Sequence, residues 1–143
     1  MSCGDPFNLV RFVEAQDGGG TYRTALRELG GGRKRSHWMW FVFPQLKGLG
    51  RSAMAERYGI AGADEARAYL AHALLGPRLL ECTGLVLAVR GKTALEILGA
   101  PDDLKFRSSM TLFDRVAPRQ REFAEALHRY FGGRPDERTL ALL

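Results

Sequence analysis

Pro77-Arg78-Leu79-Leu80-Glu81-Cys82-Thr83-Gly84-Leu85-Val86-Leu87-Ala88-Val89 decides the fold class of this 143-residue chain. Leu79, Cys82, Val86 and Val89 recur at the spacing of one helical face, and Leu80 and Leu87 widen that stripe. A helix so apolar must be buried, so the remaining segments have to cover it. Pro77 fits a first helical turn, where its missing N–H costs nothing, and the Gly76-Pro77 pair reads as a break and restart after the preceding element.

The same period recurs on both sides of this helix. Toward the amino end, Asp64 opens a helix over 64–73 carrying Tyr69, Leu70 and Ala73, and residues 52–58 predict a shorter one. Asp5-Pro6 reads as a helix entry ahead of Leu9, Phe12, Val13 and Gln16, and Thr21 as the cap of a second helix through Tyr22, Ala25, Leu26 and Leu29. The glycine triplets at 18–20 and 30–32 then serve as connection and stop rather than as a phosphate cradle. Toward the carboxyl end, 93–98 is a short helix ended by Gly99-Ala100-Pro101. Asp102 can cap a helix with Phe106, Met110 and Phe113 on one side, and 120–131 repeats the pattern through Phe123, Leu127 and Tyr130. Asp136 can cap a terminal helix. Strand-type alternation is confined to residues 38–43, so the expected fold is all-α: one domain, a compact irregular bundle of about seven or eight short helices, with residues 1–5 mobile.

Hydrophobic residues make up 45% of the chain, enough for an ordinary core, and no apolar stretch reaches the ~20 residues that span a bilayer. A soluble, cytoplasmic protein without membrane contact is therefore expected. Cys3 and Cys82 have no pattern that supports a bridge. His37, His72 and His128 lack metal-ligand spacing, so neither a metal nor a cofactor is expected. The formal charge of +5 favours anionic partners, although 16 acidic residues are interspersed among 21 basic ones.

Chemistry-bearing residues concentrate in two stretches. The first, Arg33-Lys34-Arg35-Ser36-His37-Trp38-Met39-Trp40-Phe41-Val42-Phe43-Pro44-Gln45, holds both tryptophans beside a cationic triplet. Rings and guanidinium groups together suit a planar anion. Pro44 forces Phe43 out of helical geometry and leaves Gln45 at a bend. The second, residues 102–113, places Lys105 and Ser109 one turn apart, with Asp103, Ser108 and Thr111 on the same segment. The expected site is a cleft between residues 37–45 and the helix 103–111, taking an anionic, partly aromatic small molecule such as a nucleotide or an ADP-ribose-like compound. Trp38 or Trp40 would stack on the base, and Arg33 or Arg35, with Lys105, would neutralise phosphate. Gln45, Ser108, Ser109 and Thr111 would add hydrogen bonds, and His37 with Asp103 would move a proton if a reaction follows. A nucleic-acid or partner-binding module using the run 33–35, with Arg51 and Arg57, is the second reading. A purely structural role for His37, the tryptophans and the serines is the third.

Taken together, Gly32-Arg33-Lys34-Arg35-Ser36-His37-Trp38-Met39-Trp40-Phe41, Phe43-Pro44-Gln45 and the pattern Asp103, Lys105, Ser108-Ser109-Met110-Thr111-Leu112-Phe113 resemble the bacterial family called domain of unknown function 1810. The likeness continues through Glu65-Ala66, Tyr69-Leu70, Leu75-Gly76 and Arg78-Leu79 to the Phe123 helix. It implies a compact, mostly helical domain and no assigned chemistry. The calpastatin-like label given to some members denotes a disordered inhibitor, which the regular apolar spacing of this chain contradicts. Enzyme templates are missing too: no Gly-x-Ser-x-Gly elbow occurs, and Gly91-Lys92-Thr93 follows a helix and lacks the earlier glycine of a nucleotide-binding loop.

Overall fold

In the computed structural model, residues 4–143 are described, and Cys3 with the first two residues lies outside them. The described chain runs through ten α-helical segments: α1 (Val10–Asp17), α2 (Thr21–Gly30), α3 (Met39–Val42), α4 (Ala53–Tyr58), α5 (Ala63–Ala71), α6 (Leu75–Ala88), α7 (Ala94–Leu98), α8 (Asp102–Val116), α9 (Arg121–Phe131) and α10 (Glu137–Leu142). A 3-10 turn at Gly18–Gly20 links α1 to α2. The fold is all-α, with more segments than expected, since the 38–43 stretch that alternated like a strand contains the helical turn α3. The nearest thing to a strand among the described residues is an isolated parallel bridge between Leu46 and Ile60.

The apolar stripe of residues 79–89 is the buried side of α6: Leu79, Cys82 and Val86 are inaccessible to solvent. The helix begins two residues before Pro77, so Gly76 is not a break but a crossing point. A Cβ on Gly76 would lie 2.1 Å from the Leu70 carbonyl oxygen, and only glycine lets α5 and α6 approach this closely at their 89° corner. His72 fills that corner, its Nδ1 accepting from the N–H groups of Leu74 and Leu75 at 3.1 and 3.2 Å. These N–H groups open α6 and would otherwise lack partners.

At the amino end, the Asp5 carboxylate accepts from Leu9 N–H and Val10 N–H, both at 2.8 Å. The predicted cap exists, but it works across an intervening turn, so α1 starts at Val10 instead of directly after Pro6. Thr93 and Glu96 form a capping box on α7, Ser52 caps α4 and Asp136 caps α10. Asp102, expected as a cap of α8, lies inside the first turn and makes no cap bond. No single helix among the described residues is long and apolar enough to cross a membrane.

Aromatic rings join the pieces. Phe12, Tyr69, Phe113 and Phe123 touch in sequence, tying α1, α5, α8 and α9. Trp38, Phe43 and Phe106 form a second chain, which continues to Tyr130 and Phe131 and fastens the segment around α3 to α8 and α9. This second chain sets the position of the candidate site.

Candidate functional site

The loop between α2 and α3 is organised by one carboxylate. Glu28 accepts from Arg35 N–H, Ser36 N–H and the Trp38 indole N–H, each at 2.9 Å, and from the Ser36 hydroxyl. Burial works against the charged form, but the bonds from Ser36, Arg35 and Trp38 outweigh it and hold the carboxyl down at about 2. Trp38 is thereby drawn wholly inside, with no accessible surface.

Lys34 of the same loop reaches α8. Its ammonium is 2.7 Å from Asp102 Oδ2, donates to Ser36 O and sits 5.0 Å from the centre of the Trp38 ring. The other oxygen of Asp102 is 3.8 Å from Lys105 Nζ, and Lys105 Nζ is 4.8 Å from the centre of the Trp40 ring. One carboxylate therefore stands between two lysines, each resting on a tryptophan. The two are not equivalent: Lys34 has its hydrogen bonds made, whereas Lys105 makes none among the described residues and lines a cleft.

That cleft, about 410 Å³, is lined by Gln45, Leu49 and Gly50, by Pro101, Leu104, Lys105, Arg107 and Ser108 at and before the first half of α8, and by Asp136 and Arg138 at the start of α10. Its floor is fixed. Ile60 N–H donates to Gln45 O at 2.9 Å and Lys47 N–H donates to Ile60 O at 2.8 Å, pinning the Gln45 bend that Pro44 starts. On α8, Ser108 donates to Asp136 Oδ2 at 3.1 Å and Thr111 accepts from Asp136 N–H at 2.9 Å, docking the start of α10. Arg107 donates through Nε and Nη2 to the carbonyls of Arg134 and Pro135, and Arg138 through Nη2 to Leu49 O.

Gln45, Lys105 and Ser108, far apart in sequence, thus share one opening. Other expected residues stand elsewhere. Trp38 is core and offers no face for stacking, and Trp40, half-buried behind Lys105, does not line the cleft; its Nε1 is buried without a hydrogen-bond partner. Arg33, Arg35 and His37 are exposed and outside the lining. Among the described residues no hydrogen bond or ion pair joins His37 to Asp103, whose Oδ1 is buried and unpartnered. Ser109 is wholly buried with an unpartnered hydroxyl, and Thr111 spends its hydroxyl on Asp136 N–H and Arg107 O. Arg107, Asp136 and Arg138 were missed. Asp136 carries a cap signal in sequence, but its contact with Ser108 spans 28 residues, beyond any local period.

Away from the cleft, Lys92 of the Gly91-Lys92-Thr93 stretch donates to Gly32 O at 3.1 Å, and Thr93 caps α7. No cluster of His, Cys, Asp and Glu able to hold a metal ion occurs among the described residues. Cys82 is a buried free thiol, pushed up to about 12, chiefly by burial.

No curated protein matches this chain at a significant level. Among solved structures it is similar to the conserved hypothetical protein Rv1873 of Mycobacterium tuberculosis, with 59% identity and a TM-score of 0.94 over 97% of this chain and 98% of that one. The family profile described as "Protein of unknown function (DUF1810)" matches residues 6–143. With nearly the whole length matched, this chain belongs to the DUF1810 family.

Proposed function

We propose that this protein binds an anionic small molecule, of nucleotide or sugar-phosphate size, in the cleft between the Gln45 bend and the first half of α8. One observation carries the reading: Lys105, Arg107 and Arg138 face the opening against the single carboxylate of Asp136. Three cations line the opening beside one acid, and Lys105, although Asp102 stands 3.8 Å from its Nζ, makes no hydrogen bond among the described residues. Its volume of about 410 Å³ suits a small ligand, since such pockets run from about 300 to 1,000 Å³. Leu49, Pro101 and Leu104 supply an apolar wall, and Leu104 is 58% exposed for its position on a core-forming helix.

This wall, and not an indole, offers the apolar surface for the ligand, while Trp40 holds Lys105 by cation–π contact. His37 and Asp103 carry no step in this reading, which is one of binding. The nucleic-acid alternative is weaker because Lys34, the centre of the basic run, is engaged by Asp102 and Ser36.

Calorimetric titration with AMP, ADP-ribose and inorganic phosphate tests the proposal. Lys105→Ala and Arg138→Ala are each expected to weaken binding about tenfold, the worth of one charge-assisted hydrogen bond. Absence of heat and of any thermal shift with all three probes at millimolar concentration would refute it.

A further inference from the structure

We infer that the ligand of this cleft is a phosphorylated sugar, whose hydroxyls are read by Asp136 and Gln45 while its phosphate meets Lys105, Arg107 and Arg138. This rests on the preceding reading of the cleft as an anion site and adds the chemical class.

Asp136 is the first argument. Its Oδ2 accepts from Ser108 Oγ, Thr139 N–H and Thr139 Oγ1, and its own N–H donates to Thr111, so the carboxylate cannot turn. Oδ1 takes none of these bonds, and the residue lines the cleft. An ionised carboxylate only accepts, so the ligand must bring a donor. A cationic donor is disfavoured, because the same lining carries three positive side chains. A neutral hydroxyl meets the requirement without that repulsion.

Gln45 is the second. Its backbone is fixed by Ile60 N–H, and its side-chain amide, on the cleft wall, makes no hydrogen bond among the described residues. An amide both donates and accepts, as a hydroxyl does, so a polyol is its natural complement. The apolar wall of Leu49, Pro101 and Leu104 matches the C–H face of a sugar ring.

Titrating the protein with ribose 5-phosphate, AMP and inorganic phosphate tests this. Ribose 5-phosphate should bind at least about tenfold more tightly than phosphate, from hydrogen bonds to a charged acceptor. A further gain with AMP would point to a nucleotide as the source of the sugar phosphate, and no gain to the free sugar phosphate. Asp136→Asn should lower the ratio several-fold while phosphate affinity holds or rises, because a negative charge is removed. Gln45→Ala should lower the ratio several-fold without loss of thermal stability, and it carries the test if the Asp136 variant fails to fold. Equal affinity for ribose 5-phosphate and phosphate would overturn the inference and leave the anion cleft standing. No binding of either would remove both.

Discussion

At the scale of single residues, Glu28 holds the loop that delivers Lys34 to α8. Its carboxylate collects two backbone N–H groups, a hydroxyl and an indole. Glu28→Gln keeps the size but reverses the bond to the Ser36 hydroxyl, which alone meets Oε2, and removes the charge that strengthens the three N–H bonds to Oε1. A loss of about 1–3 kcal/mol is expected in urea denaturation. The acid limb should change as well. Because the folded group is held at about 2, below its ordinary 4.5, its contribution is complete above about 4.5 and fades as pH falls through about 2. The variant should lack that component of acid sensitivity. Cys82 offers a complementary readout: burial raises its thiol to about 12, so in a Cys3→Ser background it should react with a thiol reagent at pH 8 only as fast as the protein unfolds. Native-state labelling faster than unfolding would contradict the buried placement. His37 and Trp38 mark how far a sequence reading reaches at this scale. They are adjacent and both looked functional, yet the indole is core and the imidazole is exposed, because Glu28, ten residues before Trp38, captures the indole N–H. Composition revealed the cluster but not which way each ring turned.

At the scale of elements, the α5–α6 corner depends on one missing methyl group. On α6, Gly76→Ala would put carbon 2.1 Å from the Leu70 carbonyl, so one helix must move; a loss of about 3 kcal/mol or more is expected. Gly84 on the same helix is the control, since a Cβ there meets nothing within 4 Å. Gly84→Ala should stabilise by roughly 0.5–1 kcal/mol through helix propensity. Opposite signs in paired urea melts would establish the crossing, and equal signs would refute it. Elements were the most legible level. Thr93, Ser52 and Asp136 announced their helices because a cap is a local bond. The α3 turn escaped because four residues carry too little of the helical period to be told from alternation. Asp102 misled for a different reason: its cap signal is local, but Lys34, 68 positions away by number, takes one of its oxygens and Lys105 stands 3.8 Å from the other.

At the scale of the whole molecule, the cleft is assembled by packing that lies outside it. Phe43 and Phe106 meet edge to face at 5.0 Å, two residues before Gln45 and one before Arg107, and Phe106 passes the contact on to Phe131 of α9. That Gln45 and Lys105 would share an opening was foreseeable from their two clusters of polar and aromatic residues. That α10 would close it with Asp136 and Arg138 was not, because the terminal helix shows only its own cap in sequence. Two buried phenylalanines on α8 and α9 separate stability from site assembly. Phe106→Ala and Phe123→Ala each remove a fully buried ring, and each should cost about 3–5 kcal/mol in urea denaturation. Phe123 touches Phe113, in the chain of rings that leads through Tyr69 to Phe12, away from the Gln45 bend. Phe106 instead fastens that bend to α8, so its loss lets one wall of the cleft drift from the other. Measured at low temperature, where both variants are folded, Phe106→Ala should weaken ribose 5-phosphate binding several-fold and Phe123→Ala should leave it near wild type. Equal losses of affinity would mean that the cleft is held by the core as a whole and not by the Phe43–Phe106 contact.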